Sequence, residues 1–144
     1  MNVLRLLVSL AAVVALAAAT GCTSTSESSA CNDLQALSTE VEGLFSLNPV
    51  AVGADGVRAQ IDEVQDRWQI AQRSARDQFA GELDTFEDAV QALIETSRAV
   101  VAGELPVGDG MSTIGDEITE VRTTWDALRS AVSTKLSSCD LART

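Results

Sequence analysis

Between Ile114 and Leu136 the large apolar residues fall at Ile114, Ile118, Val121, Trp125, Leu128, Val132 and Leu136, every third or fourth position. That spacing winds a single stripe along an α-helix, whose turn takes about 3.6 residues. A helix with one apolar stripe has to bury it against another element. Three further segments carry the same signature. Leu34, Leu37, Val41 and Leu44 form one stripe, and Ile61, Val64, Trp68, Ala71 and Ala75 a second. Phe79, Leu83, Phe86, Val90, Leu93 and Val100 form a third, one residue out of phase with the one before it. Helix packing is therefore the expected means of building a core, and the expected fold class is all-α.

Breaks between the stripes set the expected boundaries. "SLNPVAVGADG" interrupts the pattern with Pro49, Gly53 and Gly56, which predicts a loop, with Asp55 as N-cap of the helix after it. At the phase slip, Arg73 and Arg76 precede Asp77, and Glu82, Asp84, Glu87 and Asp88 follow. Cations favour helix C-termini and anions favour N-termini, so charge predicts two helices there, separated by a tight turn near residues 77–81 with Gly81 in it. "GELPVGDG" at 103–110 is the next connector. The expected helices are about 31–46, 55–76, 79–102 and 111–140. Short loops between four such helices favour an antiparallel up-down-up-down bundle over residues 31–144.

The first thirty residues have a different character. Arg5 is followed by a run from Leu6 to Ala19 that is apolar apart from Ser9. As a helix it spans roughly 21 Å, short of the roughly 30 Å hydrocarbon core of a bilayer. A charged start, a short apolar run and small residues before a cleavage point describe an export signal, expected over residues 1–21. Ala19-Thr20-Gly21-Cys22 resembles the bacterial lipobox, with Ala19 where Leu is commoner. The resemblance implies lipidation at Cys22: diacylglycerol on its thiol, cleavage just before it, and an acyl chain such as palmitate on the new amine. Two acyl chains hold a protein stably where one holds it marginally. The following "TSTSESSA" is small, polar and without periodicity, so residues 22–30 read as a lipidated flexible tether reaching at most about 28 Å.

Parity accounts for the remaining cysteines, Cys31 and Cys139. In four alternating helices the start of the first and the end of the last share one end of the bundle. Three helices would put them at opposite ends, too far apart to bridge. An exported domain occupies a compartment where disulfides persist. Cys22 is thus the expected anchor and Cys31–Cys139 the expected terminal clasp. This cysteine-bracketed, Ala-rich helical pattern also resembles small helical lipoproteins of actinobacteria, a resemblance that implies no activity.

The chain has 144 residues, no His, no Tyr and a net charge of −11. Such a charge argues against nucleic acid and anionic membrane surfaces as direct partners. Without His, neither Ser-His-Asp catalysis nor Glu-x-x-His metal ligation is available. Lys135 has Ser133, Ser137 and Ser138 nearby, but a solvated helix end explains them as well as a Ser-Lys dyad does. Asp84, Asp88 and Glu95 lie opposite the apolar face, as a solvated surface would, and no EF-hand spacing is present. "VGDGMS" lacks the Lys-Ser/Thr of a phosphate-binding loop. No catalytic residue, metal ligand or cofactor-binding residue is expected, and no cofactor.

The expectation is a non-enzymatic protein of the cell envelope, held on the extracytoplasmic side of the cell membrane by a diacylglyceryl anchor at Cys22. Its bundle surface would contact another protein or a cell-wall component, as an interaction or scaffold module. The alternative is a carrier of an apolar small molecule or lipid, with Ala71, Ala75, Ala89, Ala92, Ala99 and Ala131 leaving room between helices. Trp68 and Trp125 are expected in the core.

Overall fold

The computed structural model describes residues 21–141, with side chains from residue 25 onward. The expected signal segment up to Thr20 lies outside the described residues. The described residues form three helices: α1 (Gly21–Ser46), α2 (Pro49–Val101) and α3 (Val107–Lys135). No strand occurs among the described residues.

The expected tether, 22–30, differs from what is found: the backbone is helical from Gly21 into the first apolar stripe. Thr25 to Ser29 are exposed, and burial begins at Ala30. Once a packed stripe nucleates a helix, each further residue adds a hydrogen bond at small cost, so propagation extends it over polar sequence.

The cap of α2 is Asn48, not Asp55. Its Oδ1 accepts from the backbone N–H groups of Val50 at 3.1 Å and Ala51 at 3.2 Å, with Pro49 in the first turn. One turn later Gly53 takes φ 70°, ψ 176°, a conformation open to glycine, and the chain re-enters the helix toward Val57.

Phe79 supplies the second break in α2, with φ −132° and ψ 28°. The break falls inside the 77–81 window, yet at Phe79 rather than Gly81. Pairs across it are close: Arg76 Nη2 lies 2.9 Å from Asp84 Oδ1, and Gln72 Nε2 donates to Glu87 Oε2 at 2.8 Å. The arms of α2 therefore run back along each other.

After α2 the N–H of Gly103, at φ 73°, donates to the Val100 carbonyl and that of Glu104 to the Ala99 carbonyl. This crossed pair is the usual way a helix ends on a left-handed glycine. Pro106 then caps α3, which begins at Val107 rather than 111 because the Gly110 N–H already bonds to the Pro106 carbonyl. At its far end α3 stops at Lys135, short of 140. Leu136 leaves helical geometry, and a turn closed by Cys139 N–H on the Leu136 carbonyl carries the chain toward Cys31.

All residues of the four apolar stripes are buried, with Trp125, Phe79 and Phe86 the largest fully enclosed side chains. Phe86 bridges the tryptophans, its ring centroid 5.1 Å from Trp68 and 5.6 Å from Trp125.

Candidate functional site

The fold has two ends with different chemistry. At one end Cys31 and Cys139 are joined by a disulfide across 108 residues, with Cα atoms 5.6 Å apart. Beside it Gln35 Nε2 donates to the Asp140 carbonyl at 3.1 Å, tying α1 to the C-terminal turn. Lys135 Nζ donates to the Gln78 carbonyl at 2.8 Å and stands 5.1 Å above the Phe79 ring, so the end of α3 is fastened to the break in α2. From Cys31 the α1 helix continues back to Gly21, roughly 15 Å of helix carrying the backbone of Cys22. The Cys22 side chain lies outside the described residues.

Lys135 is thereby committed to a structural contact, with Glu82 Oε1 a further 3.9 Å away. Ser138, considered above as its partner in a dyad, sits beyond the helix in the terminal turn. Asp84, Asp88 and Glu95 are exposed, and Asp84 is paired with Arg76. Among the described residues no group of three potential metal ligands comes together.

The opposite end gathers the α1–α2 connection and the α2–α3 connection, since the arms of α2 return to the same level. Apolar side chains stand in solvent there. Val50 is 82% exposed and Val107 66%, and Val52 and Val101 are less so. Among the described residues, Ile70 is the one strongly exposed large apolar residue that lies elsewhere, on the shaft. The charged residues nearby in sequence are exposed and of both signs: Asp55, Glu104 and Asp109 are acidic and Arg98 is basic.

Two groups missed by pattern reading lie between α2 and α3 or between the arms of α2. Thr96 Oγ1 donates to Glu117 Oε1 at 2.8 Å, while Glu117 Oε2 is buried without a protein partner. Burial pushes the Glu117 carboxyl above its ordinary value; the Thr96 hydrogen bond opposes this, and Asp116 and Glu95 add to it. The available signal was position: Glu117 flanks Ile114, Ile118 and Val121 on the stripe side of α3. Ser97, the second, is 1% exposed and lines a cleft of about 10 Å³ with Arg58, Ile61, Asp62, Ile94 and Arg98.

A larger depression of about 450 Å³ is open to solvent and is lined by Glu42, Gly43, Phe45, Ser46 and Arg122. Arg122 partly roofs it, its guanidinium 4.7 Å from the Phe45 ring and bonded to the Phe45 carbonyl. Of the alanines named as possible cavity formers, Ala71, Ala75 and Ala89 are buried within the core, Ala99 and Ala131 are half-buried, and Ala92 faces solvent.

Comparison with protein families, with curated proteins and with solved structures finds no match to this chain.

Proposed function

We propose that this protein is a lipid-anchored, extracytoplasmic interaction or scaffold module, non-enzymatic, attached to the cell membrane through acylated Cys22. Its architecture is an up-down-up-down four-helix bundle in which the two arms of α2 count as separate helices. The close pairs Gln72–Glu87 and Arg76–Asp84 support that count. The lipobox supports the anchor, and a disulfide between chain ends suits an oxidising compartment.

One observation carries the interaction role: exposed valines concentrate at the end of the fold away from Cys31. Anchored by its N-terminus, the domain would present that end outward, where several exposed valines together offer an apolar contact surface. The partner is a protein or cell-wall component offering an apolar face. The carrier alternative asks for a pocket of roughly 300–1,000 Å³ that encloses its ligand. The cleft at Ser97 is far smaller, and the depression beside Phe45 is open and ringed by Glu42, Ser46 and Arg122.

Photo-crosslinking in the native cell tests the contact surface. A crosslinkable residue at Val50 or Val107 should give a discrete adduct, abolished by glutamate at the neighbouring exposed valine. Equal adducts from exposed Gln69, on the shaft, would remove the case for the valine end.

A further inference from the structure

The two arms of α2 face each other across Arg58, Ile61 and Asp62 on one side and Ile94, Ser97 and Arg98 on the other. Ser97 is the only polar side chain of the lining that is wholly buried, and its Oγ has no protein partner. A hydroxyl in that position carries a donor and two acceptor sites, and leaving them all unused is unfavourable. The cleft it opens on has about 10 Å³ of room, near the minimum for one water molecule. Arg58, Asp62 and Arg98 border the same space, and each carries polar atoms on a side chain long enough to reach a water held there.

We propose that this cleft is a binding site for one structural water, held by Ser97 Oγ and shared with the polar heads of Arg58, Asp62 or Arg98. It replaces a direct hydrogen bond between the arms of α2, at a level where the facing apolar residues Ile61 and Ile94 do not close the gap. The room matches one water, and the two arginines of the lining make a small anion the competing guest that the test must separate from it.

The site makes the sign of a substitution informative. If Ser97 Oγ is truly unbonded, Ser97→Ala removes an unsatisfied group and gains helix propensity, so it stabilises. If Oγ holds a water, the substitution strands that water's other partners and destabilises. Ser130→Ala, at an exposed position in α3, supplies the propensity gain alone. The melting midpoint of Ser97→Ala is expected to fall below that of Ser130→Ala by about 2–6 °C. A high-resolution crystal structure of the parent, grown with bromide, is expected to show a water within hydrogen-bonding distance of Ser97 Oγ and no anomalous peak there. A midpoint for Ser97→Ala equal to or above the Ser130→Ala control would overturn the proposal. So would bromide in the cleft, or an Oγ turned onto the Leu93 carbonyl with no water beside it.

Discussion

Trp68 and Phe86 stand with ring centroids 5.1 Å apart although both belong to α2. Along an unbroken helix the intervening residues would separate them by roughly 27 Å. Their contact exists because the backbone reverses at Phe79, and it places Phe86 between Trp68 and Trp125. A double-mutant cycle of Trp68→Leu and Phe86→Leu should therefore show a coupling of about 0.5–1.5 kcal/mol in urea unfolding. Strict additivity would contradict the folded-back α2.

The disulfide predicts a large effect from a single sulfur. Closing 108 residues of chain is worth on the order of 4–5 kcal/mol in the chain-entropy account. Cys139→Ser should lower the melting midpoint substantially while leaving the helical circular dichroism of the folded state nearly intact. Intact mass of the unreduced protein should be lighter than the reduced chain by the pair of hydrogens the bond removes. Two alkylatable thiols in native protein would refute the clasp.

Gly110 and Gly115 lie in the same helix and should respond oppositely to alanine. A Cβ at Gly110 would overlap Val100 Cγ2 and crowd Leu105, and Val100 is a short, β-branched side chain with little freedom to yield. Gly110→Ala should cost about 1–3 kcal/mol. At Gly115 a Cβ meets open space, so the helix-propensity gain of up to about 1 kcal/mol should appear undiminished. Matching gains at both sites would contradict the close approach of α3 to the end of α2.

Much of the fold is legible in the sequence because apolar period reports which face is buried. Each stripe residue from Leu34 to Leu136 is inside, and both tryptophans are core residues. Charge polarity located the reversal in α2, since Arg76 and Asp84 sit on opposite sides of it and pair there. What period does not report is where a backbone stops. The Asn48 cap depends on side-chain geometry, the early start of α3 on Pro106, and the early end of α3 on the route Cys139 takes to Cys31. Ser97 and Glu117 escaped notice because a polar residue on the flank of a stripe reads as solvated until the facing helix is known.

Glu117 gives the fold a pH dependence of predictable sign. A carboxyl whose folded pKa lies above its unfolded value binds its proton more tightly in the native state. Ionising it therefore costs stability, fully so above the folded pKa, and the cost disappears as pH falls through the ordinary carboxylate range near 4.5. Glu117→Gln keeps an acceptor for Thr96 and removes the charge. It should raise the melting midpoint at pH 7, and the gain should shrink toward pH 4. A gain independent of pH would assign the effect to packing rather than ionisation.

The anchor at Cys22 is the central claim, because compartment, orientation and the outward placement of the exposed valines all follow from it. Its most direct test is intact mass spectrometry of the protein purified from the membranes of a bacterium that processes lipoproteins, beside Cys22→Ser. The expected result is a chain beginning at Cys22 with diacylglycerol on that residue, and a variant that carries no lipid. A mature chain without lipid, one beginning at another residue, or a Cys22→Ser variant with the same lipid mass would contradict the account.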